Sequence, residues 1–259
     1  MALQRESLPQ TWNIVFAKTV SERTYNRAIV EAVLRNTGTV TGKRILEVGP
    51  GEGPDAIELA HQGARVHILD FASNPLRASL SGAEQRKVTV HPTQADGRVM
   101  PFPTDSFDVV FSQGLLEHYE PVNFLLAEQV RVTKPGGLVI VDVPQLFSPQ
   151  AFTKAFLMRA GKWPYGWERN YTQEQLTSLM KRHRLNIVDH YAWGFLPPLN
   201  LGIKTQIKEA LQTIKSVHPT SDTSSPSLLT EVRRLSTQGH RGWLARHSLN
   251  CIGVVGQKA

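Results

Sequence analysis

The chain of 259 residues contains one cysteine, Cys251. A single thiol excludes an internal disulfide and a cysteine-built zinc site, and no metal centre is expected. Cys251 lies in the apolar segment SLNCIGVVG and reads as a packing residue. Long hydrophobic runs are also missing. No stretch approaches the roughly 18 apolar residues of a membrane span, and the first twenty residues, with Gln, Arg, Glu and Lys among them, hold no signal-type apolar core. The expectation is a soluble, cytoplasmic protein. Aromatic residues make up only 8%, and no interleaved aromatic and basic strand of the RNA-binding kind is present. What is present is a 41% hydrophobic content arranged in recurring strand and helix patterns. That is the composition of a folded globule, and this length suits one large core. The net charge of +7 admits a nucleic-acid partner without favouring one, because the basic residues are dispersed. Their densest groups, 181–184 and 240–247, read as solvated surface.

The most informative stretch is RILEVGPGEGPDAIEL, residues 44–59. Ile45, Leu46 and Val48 form a buried-type strand that also carries Glu47. Gly49, Gly51 and Gly53, with Pro50 between the first two, form a turn. Ala56, Ile57, Leu59 and Ala60 form one face of a helix. Glycines accept positive φ and let a ligand approach the main chain, and the helix start offers unpaired N–H groups. The spacing is Gly-x-Gly-x-Gly, with Pro54 where a dinucleotide fingerprint has its third glycine. The Gly-Lys-Ser/Thr ending of a phosphate loop is missing as well, so neither a dinucleotide enzyme nor a nucleotide triphosphatase is indicated.

Further acids follow at successive strand ends. Residues 64–69, with Ala64, Val66, Ile68 and Leu69, read as a second apolar strand and end in Asp70-Phe71. Val88 to His91 leads to Ala95-Asp96-Gly97, and FDVVFSQ ends in Ser112-Gln113 before the loop Gly-Leu-Leu-Glu-His-Tyr. A fifth strand follows the Lys-Pro-Gly-Gly turn at 134–137. A carboxylate after the second strand of such a unit suits the two hydroxyls of a ribose. Strands alternating with helices imply a parallel sheet covered on both faces, with ligands beyond the strands' carboxyl ends.

Taken together, residues 41–143 resemble the class I S-adenosylmethionine-dependent methyltransferases, in particular the small-molecule, type 11-like branch with its Leu-Glu-His loop and Lys-Pro-Gly-Gly turn. The resemblance implies a single Rossmann-like α/β domain with a mostly parallel seven-stranded sheet, the last strand antiparallel, and helices on both faces. It implies S-adenosylmethionine as cofactor. Glu47, Gly49, Pro50, Gly51 and Gly53 would wall the methionine end, Asp70 and Phe71 would meet the ribose side, Asp96 and Gly97 the adenine, and Ser112 and Gln113 the reactive methyl. Adenosylmethionine carries no phosphate, and the glycine turn has no Lys or Arg. The single thiol sets the chain apart from methyltransferases that need catalytic cysteines.

In this reading residues 1–40 form an N-terminal helical lid, 41–143 the cofactor core and 144–259 the substrate side, with a helical insertion at about 202–242. The lid helix runs from Ser21 to Asn36 with its stripe of Tyr25, Ala28, Ile29, Ala32 and Val33. Ser148 to Gly161 reads as a helix, Thr172 with Gln175 as a capping box opening another, Asn186 to Phe195 as a strand, and Ser248 to Val255 as the strand that closes the sheet. His118 is the candidate base, and Glu117 and Asp142 read as structural or solvated acids. Tyr25, Tyr119, Tyr165, Trp167 and Tyr171 are candidates for the acceptor pocket. The fourth strand lacks the Asn/Asp-Pro-Pro-Tyr/Phe turn of adenine- or glutamine-directed enzymes. A small organic acceptor with an O, N or C nucleophile is therefore favoured over RNA or protein, and over a cofactor-binding protein without turnover.

Overall fold

The computed structural model describes residues 5–6, 9–17, 27–161, 163, 165–194, 239–242 and 249–259. Tyr25, the start of the expected lid helix and nearly all of the 202–242 insertion lie outside the described residues. In chain order the elements are β1 (Arg5–Glu6), α1 (Pro9–Ala17), α2 (Arg27–Thr37), β2 (Arg44–Val48), α3 (Pro54–His61), β3 (Arg65–Asp70), α4 (Ser73–Gln85), β4 (Val90–Gln94) and β5 (Phe107–Gln113). A 3-10 turn at Leu116–His118 and β6 (Tyr119–Glu120) lead to α5 (Asn123–Val132), β7 (Thr133–Pro144), α6 (Pro149–Arg159), α7 (Gln173–Arg182), β8 (Leu185–Trp193) and β9 (Cys251–Lys258).

The main sheet has the order β4-β3-β2-β5-β7-β9-β8. Its first five strands are parallel, and β9 runs antiparallel to both β7 and β8, as the resemblance implies. Alternation along each strand sorts the apolar residues to two faces. Ile45, Val66, Ile68, Val109 and Phe111 pack with Ile29 and Val33 of α2 and Ala56 and Leu59 of α3. Their neighbours Leu46, Val48, Val110, Val139 and Val141 pack with Leu125 and Leu126 of α5 and Leu176 and Met180 of α7. Each such side chain contributes about 1.5–3 kcal/mol on full burial, and a one-residue slip would turn every one of them to the wrong face.

Several boundaries move relative to the sequence reading. The third core strand starts at Val90, not Val88, and runs through Pro92. Proline is tolerated there because β4 is an edge strand with no partner on its outer side. The apolar stripe of α2 is spent entirely on the sheet, and Arg35 and Asn36 donate to Asp189 of β8 at 2.9 and 3.2 Å. That helix is a core element. The helix beside the glycine turn is α1, which no sequence pattern singled out. The Lys-Pro-Gly-Gly segment, expected as a turn before the fifth strand, lies within β7 at the opposite, amino-terminal edge, where β7 breaks register with β5 and Lys134 Nζ meets Asp108 at 2.8 Å. The Thr172–Gln175 capping box forms as expected, both of its hydrogen bonds being present.

Candidate active site

The sheet's topology brings the ends of β2, β3, β5 and β7 to one edge. At the end of β2, Gly49, Gly51 and Gly53 all have positive φ, 71°, 58° and 67°. Packing requires glycine here as much as conformation does. A Cβ on Gly53 would lie 2.6 Å from Ser79 Oγ of α4, and that hydroxyl donates to Gly51 O at 3.1 Å. A Cβ on Gly51 would meet the Phe16 ring of α1 at 2.9 Å, and one on Gly49 would meet Leu115 at the same distance. α1 is pinned there by Asn13, which holds Asn74 of α4 through two hydrogen bonds of 2.9 and 3.0 Å.

Glu47 is buried, and its Oε2 accepts from Ala56 N at 3.1 Å, capping the first turn of α3. Burial, then the nearby Asp55, push its carboxyl well above the ordinary range against that hydrogen bond. The resemblance placed this acid at the wall of the methionine end; in the structure one of its oxygens belongs to α3. Asp70 closes β3, buried, with Oδ1 accepting from Ala72 N at 2.8 Å. Burial raises it to about 6, the backbone N–H groups of Ala72 and Phe71 opposing. Phe71 is half-buried beside it.

The other predicted cofactor residues sit differently from one another. Asp96 pairs with the guanidinium of Arg98, at 3.0 Å to Nε and 2.6 Å to Nη2, and this pairing holds its carboxyl below the usual range. Gly97 is buried beneath the edge, where a Cβ would press on Leu125 at 2.8 Å and Val48 at 3.2 Å. Ser112 is buried and accepts from Gln129 Nε2 of α5 at 3.2 Å, so its hydroxyl is engaged in the core. Gln113 is half-buried at the strand end.

His118 ends the 3-10 turn after β5 and is 3% exposed. Its Nδ1 lies 3.2 Å from the Trp167 carbonyl oxygen. A carbonyl only accepts, so Nδ1 carries the proton and Nε2 keeps its lone pair. Burial lowers the imidazole below its ordinary value, opposed by Glu168, whose Oε1 is 3.8 Å from Nε2. The ring is therefore neutral near pH 7. Glu168 also accepts from Lys154 Nζ at 2.7 Å and from Trp163 Nε1 at 3.0 Å, and Lys154 donates in addition to Asn170. Arg169 N donates to Glu117 O at 2.9 Å, tying the aromatic connector to the loop after β5.

The aromatic candidates divide into two groups. Tyr165 stacks on Trp12 of α1 at 6.2 Å and meets Trp163 edge-on at 5.3 Å; Trp12 in turn packs against the His118 ring at 4.9 Å. Trp12 thus covers the histidine ring with Tyr165 stacked on it, and Trp167 meets the histidine through its carbonyl oxygen. Tyr119 and Tyr171 belong to the core on the α5 face, because the short β6 and the bridge from Gln145 to Tyr171 turn them inward. Sequence reasoning missed Trp12, Phe16, Lys154 and Glu168. The four-residue spacing of Trp12 and Phe16 was the available signal; nothing local marks Lys154 as buried.

The fold is that seen in S-adenosylmethionine-dependent methyltransferases. Residues 46–141, the core of this chain, match the family model described as a methyltransferase domain. The demethylmenaquinone methyltransferase of Renibacterium salmoninarum is 37% identical over 120 residues, which cover 46% of this chain and 47% of that protein. The ubiquinone biosynthesis O-methyltransferase of a Ruegeria species is 28% identical over 172 residues, 64% of this chain and 69% of that one. The chain thus spans about half of the first relative's length. Among solved structures, phosphoethanolamine N-methyltransferase 2 of Haemonchus contortus, in complex with phosphomonomethylethanolamine and S-adenosylhomocysteine, aligns with a TM-score of 0.59 at 20% identity. It covers 96% of this chain and 56% of that one, a likeness of fold. No helix among the described residues is long and apolar enough to cross a membrane.

Proposed function

We propose that this protein transfers a methyl group from S-adenosylmethionine to a small organic acceptor. The observation that carries the reading is the juxtaposition of the positive-φ turn at 49–53 with the buried Asp70 at the end of the adjacent strand. A buried carboxyl held by the backbone N–H groups of Ala72 and Phe71 keeps acceptor capacity for the two hydroxyls of a ribose. The turn, without Lys or Arg, suits a cofactor that has no phosphate. Phe71 would flank the nucleoside. Asp96 would meet the adenine amine while shared with Arg98, and Gly97 would offer its backbone N–H to the ring.

The cofactor supplies a methyl already activated by its sulfonium charge. The residues of this chain then have to place the acceptor, exclude water and take a proton where one must leave. Neutral His118, with Nε2 unprotonated and fixed by the Trp167 carbonyl, is built to take that proton. Trp12, backed by Phe16 and Tyr165, would exclude water above it. The quinone-biosynthesis names of the relatives support a small acceptor.

Calorimetry with adenosylmethionine and adenosylhomocysteine tests the cofactor, and a metabolite extract incubated with methyl-labelled cofactor tests the acceptor. Absence of cofactor binding by the purified protein would end this reading. Label in RNA or protein instead of a metabolite would redirect it to a macromolecular substrate.

A further inference from the structure

The outward side of α6 carries a row of exposed aromatic rings. Phe152 and Phe156 are 73% and 72% exposed, and Phe147, just ahead of the N-cap Ser148, is 60% exposed. Residues four apart lie one above the other on a helix, and the residue before an N-cap stands next to the fourth helical residue, here Phe152. The three positions therefore form one row. Aromatic side chains offer about 150–250 Å² each, so at these exposures the row presents about 300–500 Å² of apolar surface. That is the size of the largest patch on a typical monomer, and such patches mark contact sites. The inward side of the same helix is polar where it matters: Lys154, about half a turn round from both rings, is buried and meets Glu168 at 2.7 Å.

The charges around the row decide what it meets. Residues 145–170 contain four basic residues, Lys154, Arg159, Lys162 and Arg169, and a single acid, Glu168. Lys154 neutralises Glu168 in the interior, so this stretch has no negative charge to show outside. Arg159, in the last turn of α6 and three residues beyond Phe156, is exposed, and so is Arg169. A second copy of this chain docking through the same face would bring these positive charges together. An anionic bilayer satisfies both features at once, because rings enter the boundary between head groups and acyl chains while guanidinium groups meet lipid phosphates. Length agrees with that placement. With 11 residues α6 is about 16 Å long, against a hydrocarbon core of roughly 30 Å, so it can lie on a membrane but not cross one.

We infer that the Phe147, Phe152 and Phe156 face of α6 is a docking surface for an anionic lipid bilayer. This goes beyond methyl transfer and does not depend on the identity of the acceptor. The docked helix keeps its inner side against Glu168, which lies 3.8 Å from His118, so the bilayer surface stands about one helix diameter, roughly 10 Å, from that part of the edge.

The test uses the whole chain, sedimented with vesicles of phosphatidylcholine alone or of equal parts phosphatidylcholine and phosphatidylglycerol. Wild type is expected to bind the anionic vesicles and to bind the neutral ones at least about tenfold more weakly. Replacing both rings, Phe152→Ser with Phe156→Ser, should weaken binding to the anionic vesicles by at least about tenfold, with the melting temperature level or raised because both rings are exposed. Arg159→Gln should weaken it about fivefold, the effect of one charge at the lipid surface. Failure of wild type to bind anionic vesicles, or equal binding to both compositions, overturns the inference. Unchanged binding of the double variant does so too, since the net charge of +7 alone would then be attracting the protein. A wild-type dimer in analytical ultracentrifugation that the double variant converts to monomers would assign the face to a second copy, and overturns it as well.

Discussion

Gly53→Ala isolates what the turn at the end of β2 demands. Gly53 has φ 67°, a left-handed conformation that costs a residue with a Cβ roughly 1–2 kcal/mol. The new Cβ would also stand 2.6 Å from Ser79 Oγ, well inside contact distance. Ser79 can relieve this only by rotating away, which forfeits its 3.1 Å hydrogen bond to Gly51 O, a loss of about 1 kcal/mol. The expected total is about 2–3 kcal/mol. At about 2–4 °C per kcal/mol for a domain of this size, the melting temperature should fall by roughly 4–12 °C in calorimetry or circular dichroism. A double-mutant cycle separates the two contributions. On a Ser79→Ala background the hydrogen bond is already gone, so Gly53→Ala should cost the conformational part and the strain of the residue 79 Cβ, 3.0 Å from the new one, leaving a coupling of about 1 kcal/mol. A cost below about 0.5 kcal/mol for Gly53→Ala, or strict additivity with Ser79→Ala, would refute the argument that α4 packs against a turn only glycine can make.

Three further outcomes follow from the same geometry. Asp70→Ala should weaken adenosylmethionine binding by about 10–100-fold in calorimetry, the loss of one or two hydrogen bonds to a charged group, with the melting temperature of the unliganded protein nearly unchanged; equal affinity would show that the ribose lies elsewhere. Lys154→Met should destabilise by about 3–5 kcal/mol in denaturant titration, because Glu168 is left buried without its cation. Asp142 has a folded-state pKa of about 8 against an ordinary 3.8, raised chiefly by burial. Between about pH 4 and 8 the folded state therefore binds the extra proton, and stability should fall as pH rises through that window. Melting curves from pH 5 to 9 should show this slope in wild type and a shallower one in Asp142→Asn; parallel slopes would exclude Asp142 as their source.

The core of the fold was legible because its signals are local. Short apolar runs at 45–48, 65–70 and 107–113 mark strands buried on both faces, and the glycines between β2 and α3 announce a turn with positive φ. Thr172 and Gln175 mark a helix start by their spacing alone. Each of these depends on residues within a few positions of one another, so composition and period are enough. Edges were less legible: Pro92 reads as a strand breaker until the tertiary arrangement places β4 at the rim. α1 is short, and its role depends on Asn13 meeting Asn74, 61 residues away.

By itself, then, the sequence determined the alternating α/β core, the edge at which ligands gather and the absence of a phosphate-binding loop. Only the tertiary structure decided which polar groups remain available at that edge. It gave Glu47 a bond to Ala56, Ser112 one to Gln129 and Asp96 one to Arg98, and it buried Lys154 against Glu168 beside His118. It also left Glu117 Oε2 without a donor. Strand and helix periods report which way a side chain faces, but a hydrogen bond or ion pair is settled by which distant groups the packed core brings within 3 Å, and no periodicity along the chain encodes that.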